Sequence, residues 1–383
     1  MSERPYQLQL LVFSLVVAAF TNIYITQPVL PVLKTEFGVS EFQASLTVSA
    51  VILGIALANL PFGLLADRSP VRPIILVGGI IITICALLCA ATNSLKLLIL
   101  ARFFQGLFIP TVSTCVVVYL GRSLPLERLN VIMGSYVAAT VAGGLGGRLL
   151  GGWIHPPLHW RYAFVTSAFL LLSATLAAVR WLPPERRRVE HHTEELGFLN
   201  LLARGDVRRI YLVSFGAFFV FSSIFNYLPF YLHGAPFHAS TNVITLMYLA
   251  YLLGIVAGPV SGNLSNRFGN GTIMVGGTVV FALAIISTLI PSLWAVAISL
   301  AGVCAGFFAI HAAAAGLLNR KVTVSRGRAN SMYILFYYLG GSAGITVSGL
   351  AYERGGWYGV AGLGLLMLLI PFNIGWRERK SEG

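Results

Sequence analysis

The sequence predicts an all-α integral membrane protein, with twelve transmembrane helices arranged as two pseudosymmetric six-helix bundles. Three observations carry that prediction. First, 57% of the 383 residues are hydrophobic and only 10% are charged, against about 25% charged in soluble domains. Second, the apolar residues fall into twelve runs, each of about 20 residues or more and therefore able to cross a bilayer. Third, the polar stretch Gly63 to Arg72 (GLLADRSPVR) returns, altered, as Gly262 to Asn270 (GNLSNRFGN). Gly63 then aligns with Gly262, Asp67 with Asn266 and Arg68 with Arg267, at a separation of about 200 residues. A helix-loop-helix unit duplicated in so apolar a chain points to the repeat architecture of solute transporters.

The apolar runs lie at 8–33, 42–66, 74–92, 96–120, 129–154, 161–182, 209–232, 241–263, 272–291, 292–319, 329–352 and 356–375. The first is too long for a signal-peptide core and lacks a small-residue cleavage site before polar sequence, so it is expected to stay as a span. Of the 26 Lys and Arg residues, Lys34, Lys96, Arg161 and Arg354 fall in loops on one side, and Arg102 and Arg148 fall inside runs. The rest crowd the other side together with both termini, which makes that side cytoplasmic. The net charge of +13 is thus topological and not a nucleic-acid surface. The longest polar stretch divides the runs six and six. The expected organisation is an N-terminal bundle over 1–182, a cytoplasmic linker over 183–208 and a C-terminal bundle over 209–383, in the cell inner (plasma) membrane.

Cofactor and metal chemistry is not expected. Cys85, Cys89, Cys115 and Cys304 lie inside apolar runs and read as small hydrophobes. His191 and His192 sit in the solvated charge run of the linker, and His155, His159, His233 and His238 in outer loops. No run or loop assembles a nucleophile with its base, so an enzyme is not expected either. The expected partners are the lipid bilayer, a small-molecule solute and, as a candidate coupling ion, the proton; the chain is expected to act as a monomer.

Two runs carry arginine away from their ends. In the fourth, Arg102, Gln105, Gly106, Ile109 and Ser113 share one helical face by their three- and four-residue spacing. Arg102 lies roughly 9 Å inside the outer end at 1.5 Å per residue. It either snorkels to the outer headgroups or serves binding and coupling; Gln105, one turn deeper, is not required by snorkelling. In the fifth, Gly134, Gly143, Gly147, Arg148, Gly151 and Gly152 set small residues four apart, which lets helices touch backbone to backbone. Gly340, Gly341, Gly344 and Gly349 echo this in the eleventh run.

Further polar groups inside runs are Asn22, Tyr24 and Gln27 in the first, Asn226 and Tyr227 in the seventh, His311 in the tenth, and Tyr333 and Tyr337 in the eleventh. Any one of these tyrosines reads equally as a hydrogen-bonded core residue. His311 titrates near neutral pH when unperturbed, so it is either a proton carrier or a neutral hydrogen-bonding core group.

These stretches resemble the signatures of the major facilitator superfamily. Its loop motif, Gly-x-x-x-Asp-Arg-x-Gly-Arg-Arg/Lys, is matched by Gly63, Asp67, Arg68 and Arg72, with Pro70 and Val71 as departures. The second copy keeps Gly262, Arg267 and Gly269 but has Asn266 for the acid. Arg102, Gln105 and Gly106 match the fourth-helix Arg-x-x-Gln-Gly. Gly134, Gly143, Gly147, Gly151 and Gly152 match the fifth-helix antiporter motif, with Arg148 in place of its proline. The resemblance implies a major facilitator fold and alternating access. It also implies efflux of a small organic solute, as in the drug and sugar efflux branch, with proton antiport as coupling. Helices one, four, seven and ten would line the cavity, and the loop motif would form an inner gate.

All thirteen acids fall outside the middle of the runs. Proton-coupled exporters of this family often carry a first-helix carboxylate near the Gln-Pro step, but Tyr24 and Thr26 precede Gln27 and Pro28 here. Buried cations facing a carboxylate-free interior match an anionic or polar solute better than a cationic one. An organic-anion carrier and a non-transporting membrane sensor are the alternatives.

Overall fold

A computed structural model describes residues 5–124, 126–183 and 197–382. The elements in order are α1 (Pro5–Tyr24), a 3-10 turn at Gln27–Val29, α2 (Leu30–Phe37), α3 (Glu41–Arg68), α4 (Val71–Ala91), α5 (Leu95–Ser123), α6 (Leu126–Ile154) and α7 (Trp160–Trp181). There follow α8 (Phe198–Ala203), α9 (Gly205–His233), α10 (Thr241–Met247), a 3-10 turn at Tyr248–Tyr251, α11 (Leu252–Phe268), α12 (Asn270–Ser287), α13 (Leu293–Lys321) and α14 (Arg326–Glu382). The last is two helices joined at Gly356, whose φ of 55° breaks the helical path. Ten of the described helical segments are long and apolar enough to cross a membrane, with α1 to α2 and α10 to α11 each counted as one and α14 counted once. Adding α6 and the second part of α14 gives twelve spans, the expected architecture.

Three features went unforeseen. The first run is broken, because Pro28 has no N–H to donate to the carbonyl of Tyr24, and α1 stops there. The eighth run is split by the turn at Tyr248–Tyr251. The polar stretch expected as a plain linker contains the short helix α8, while its residues 184–196, His191 and His192 among them, lie outside the described residues. Pro61, Pro110, Pro229, Pro259 and Pro371 sit within helices without ending them.

Two compact units form, one from Met1–Val29 with Ala50–His191 and one from Leu30–Ser49 with His192–Gly383. Within each, glycines set the closest helix approaches. In the first unit a Cβ on Gly143 or Gly147 would strike the α1 backbone at Val17 or Thr21, and one on Gly151 the backbone of Ile25 just past the end of α1. In the second, a Cβ on Gly340 or Gly344 of α14 would strike α9 at Phe215 or Phe219. The repeat thus reproduces its packing, α6 on α1 and α14 on α9. Gly134, expected to belong to the packing stripe, is exposed with open space around it. Gly134 faces away from α1, which meets α6 at this level through the Gln9–Ser135 hydrogen bond, so the glycine contacts begin at Gly143.

Gly269 and Pro70 explain a difference between the two polar loops. Gly269 joins α11 to α12 at φ 85°, a left-handed backbone that glycine adopts without strain. In the first loop Pro70 stands at φ −59°, which the pyrrolidine ring favours. The two loops therefore connect equivalent helices by different backbone paths.

Gly147→Ala is expected to lower stability by roughly 1–3 kcal/mol, the size of an overpacking penalty, and to reduce the monodisperse peak on size exclusion. Gly134→Ala should be neutral or stabilising by up to about 1 kcal/mol. Thermal unfolding of the two purified variants checks both, and equal behaviour would contradict the assignment of the stripe.

Candidate functional site

The break at Gln27–Pro28 creates the polar centre of the first unit. A helix leaves its last carbonyls without intrahelical donors, and α1 ends among other helices. The Arg102 guanidinium of α5 occupies this end, donating to the carbonyls of Asn22 and Ile23 and to Oε1 of Gln105. Gln105 Nε2 donates to Asn22 Oδ1 at 2.9 Å, and Ser167 Oγ of α7 donates to the same oxygen at 3.0 Å. Asn22 Nδ2 completes the set by donating to Ala18 O at 2.8 Å. The Phe164 ring lies 5.5 Å from the guanidinium.

Arg102 is 0% exposed, so its side chain does not snorkel. An uncompensated buried charge costs several kcal/mol. Hydrogen bonds to a charged donor contribute about 1.5–3 kcal/mol each, and here they are reinforced by the negative end of the α1 dipole. The charge of Arg102 is thus met inside the bundle, by α1 carbonyls and Gln105. Ser113, on the same helical stripe, does not join the cluster, because its hydroxyl donates to Ile109 O at 3.3 Å.

A second cluster lies at the same break. Arg148 of α6, 1% exposed, donates from Nε to Gln27 Oε1 at 2.7 Å and from a terminal nitrogen to Gly144 O at 2.7 Å. Its guanidinium stacks 3.8 Å from the centre of the Tyr24 ring. Tyr24 is half-buried. Gln27 Nε2 is buried without a hydrogen-bond partner, which leaves one amide donor of this cluster unused. Gly151 and Gly152 are buried in the same helix.

In the second unit the predicted residues divide into two groups. His311 Nδ1 lies 3.0 Å from Tyr333 Oη, and the imidazole packs with Phe307 and Tyr337, their ring centres 5.9 and 5.3 Å away. Tyr337 in turn stacks on Phe218 at 3.7 Å, and Phe221 stacks on Phe307 at 3.9 Å. His311 and Tyr337 are half-buried; Tyr333 is buried. Asn226 and Tyr227 stand apart from this stack. Asn226 donates to Ser45 Oγ at 2.9 Å, and Tyr227 donates to Ile345 O at 2.9 Å.

The loop residues also fall into place. Asp67 pairs with Arg122 at 3.0 Å, and Arg122 donates in addition to the carbonyls of Ala66 and Asp67. In the second copy Arg320 donates to Asn266 Oδ1 at 2.9 Å. Gly63 and Arg72 are half-buried, Arg68 and Arg267 exposed, and Gly262 has open space beyond its Cα. Arg122 and Arg320 were counted only as topological charges in the sequence, since nothing in their spacing marks them as partners of the repeated loop. Ser167, Phe164 and the Phe218–Phe221–Phe307 stack were likewise missed. They are ordinary apolar-run residues until the helices are packed. Among the described residues, no cluster of His, Cys, Asp and Glu has the makings of a metal site.

Comparison with known proteins covers both halves. The family model of the Major Facilitator Superfamily matches residues 12–235 and again 232–382. The chain is 30% identical to the inner membrane transport protein YnfM of Escherichia coli (strain K12) over 372 residues, covering 96% of this chain and 89% of that protein. It is 26% identical to the uncharacterized MFS-type transporter YybF of Bacillus subtilis (strain 168), covering 92% and 88% of the two. A crystal structure of a bacterial homolog of the human lysosomal transporter Spinster, solved in an inward-facing and unoccupied conformation, superimposes with a TM-score of 0.80 over 99% of this chain and 98% of that one. At 16% identity that likeness concerns the fold alone. With twelve spans, a duplicated helix-loop-helix unit and a family match in each half, the chain is a multi-pass membrane transporter belonging to the Major Facilitator Superfamily.

Proposed function

We propose that the protein is a secondary active transporter of the inner membrane, with both termini cytoplasmic, that exports a small polar or anionic organic solute by alternating access, as a monomer. The observation that carries the solute class is the buried Arg148, in a first unit whose spans hold no mid-membrane carboxylate and whose other buried arginine, Arg102, is already held by carbonyls. The two have different roles. Arg102, fully enclosed and bonded to the end of α1, positions the helices around the break. Arg148, covered by one half-buried tyrosine and next to the unused Gln27 amide, receives the solute: rotation of Tyr24 exposes a guanidinium fork and an N–H donor to an oxyanion.

Coupling is assigned to the proton, with His311 as its carrier. Its ring is half-buried and its Nδ1 is within hydrogen-bond distance of Tyr333, which supplies a partner for handing on a proton. The efflux direction rests on the fifth-helix resemblance, which Arg148 departs from in the position of its proline. The test is flux in purified proteoliposomes over a panel of neutral, cationic and anionic solutes, with and without an imposed pH gradient. Transport restricted to lipophilic cations would overturn the solute class.

Arg148→Gln keeps amide hydrogen bonding but loses the charge. It is expected to leave folded yield close to the parent and to weaken binding of an anionic solute by roughly 2 kcal/mol, the scale of one charge-assisted hydrogen bond. Arg102→Met orphans the acceptors at Asn22, Ile23 and Gln105, at about 1–3 kcal/mol each, and should act first on stability, read as loss of folded protein. Arg102→Lys should recover part of that loss, because the ammonium keeps the charge without the planar fork. The reverse ranking, with Arg148→Gln unfolding and Arg102→Met folding but failing to bind, would exchange the two roles.

His311→Gln should retain solute exchange between equal pH compartments and lose acceleration by a pH gradient. A wild-type pH response in that variant would remove His311 from the coupling step.

A further inference from the structure

The duplicated loop holds an ion pair in the first unit, where the second has an arginine on a neutral amide. Arg122 of α5 faces the carboxylate of Asp67; at the equivalent place Arg320 of α13 faces the neutral amide of Asn266. Among the described residues, the buried acid Glu378 of α14 is engaged by Lys321 and lies 3.9 Å from Arg209. Arg267 adds a further positive charge on the same loop. Beside Arg320 opens a cavity of about 390 Å3 between α11, α12 and α13, lined among others by Asn263, Ser265, Asn266, Asn270 and Arg320. No acid lines it.

Its walls offer donors to an anion. Ser265 is 4% exposed, and its hydroxyl is buried without a hydrogen-bond partner. An orphaned buried hydroxyl costs about 1–3 kcal/mol, which a bound acceptor would recover. The cavity also sits at the start of α12, where the helix dipole presents its positive end. Gly262 and Gly316 line it without side chains that would fill it.

We infer that this cavity is a binding site for a phosphate oxyanion, held by Arg320 with the Ser265 hydroxyl and the Asn263 and Asn270 amides, in the charge vacancy left where Asn266 replaces the acid of the first repeat. The site belongs to the second unit alone and is distinct from the arginine clusters at the α1 break. Two sources supply such a group at the arginine-rich end of the helices: the headgroup of an anionic phospholipid, or free inorganic phosphate.

The experiment uses the purified full-length chain and two probes, phosphatidylglycerol retained in native mass spectrometry and inorganic phosphate in thermal unfolding against a chloride control. The decisive variant is Asn266→Asp, which rebuilds the Asp67–Arg122 pairing and so keeps the fold while filling the vacancy with the chain's own carboxylate. Wild type is expected to bind one of the probes, and Asn266→Asp and Arg320→Gln to bind it about tenfold more weakly or worse, as removal of one charge-assisted contact implies. Asn266→Asp should at the same time unfold no earlier than wild type in the absence of either probe. Binding of phosphatidylglycerol without a phosphate effect identifies the headgroup as the occupant, and a phosphate shift without lipid retention identifies the free anion. Failure of wild type to bind both probes, or equal binding by wild type and Asn266→Asp, overturns the inference.

Discussion

The end of α1 is the constraint on which the first unit depends. A proline at 28 stops the helix inside the protein, where carbonyls without donors would cost about 1–3 kcal/mol apiece. Arg102 reaches them from α5, Gln105 and Ser167 converge on the Asn22 side chain, and α6 approaches the same stretch closely enough that only glycine fits at 143, 147 and 151. A polar defect in one helix thus becomes the point at which α1, α5, α6 and α7 are joined. The second arginine, Arg148, is delivered to the break by the same glycine-lined helix.

The two halves share packing and differ in chemistry. Glycine-mediated contact of α6 with α1 is repeated by α14 with α9, so the duplication has kept the spacing of backbones. The buried charge has not been kept. The first unit holds Arg102 and Arg148, whereas the second sets His311 in an aromatic stack with Tyr333, Tyr337 and Phe307. At the polar loops the difference runs the other way, the first being a closed Asp67–Arg122 pair and the second an arginine beside an amide. Such a division suits a transporter in which one unit recognises charge and the other carries the coupling group.

Much of this was legible in the sequence. Length and charge content of the apolar runs give the class and the number of spans, because a bilayer admits little else. The repeat was visible in Gly63, Asp67 and Arg68 against Gly262, Asn266 and Arg267. The stripe at Gly143, Gly147 and Gly151 was read from spacing alone, since close helix contact demands small residues at every fourth place. What spacing cannot convey is which helix lies opposite. Gly134 fits the pattern and meets nothing; Arg122 and Arg320 fit no pattern and hold the loops. Arg102 was recognised as lying within a span, with snorkelling left open; besides Gln105 its partners are backbone carbonyls, which every residue has and no sequence marks. The unsatisfied Gln27 amide and the cover of Tyr24 over Arg148 arise from the broken helix, and the Gln-Pro step was read for its missing acid instead of for the break.

In the proposed function Arg148, and not Arg102, senses the charge of the solute. The most direct measurement is a thermodynamic cycle on the purified protein, comparing binding of a transported carboxylate with binding of its uncharged amide, in wild type, in Arg148→Gln and in Arg102→Lys. The expected result is a preference for the carboxylate of about tenfold or more in wild type, its disappearance in Arg148→Gln and its survival in whatever fraction of Arg102→Lys folds. A preference that survives in Arg148→Gln and vanishes in Arg102→Lys would contradict it.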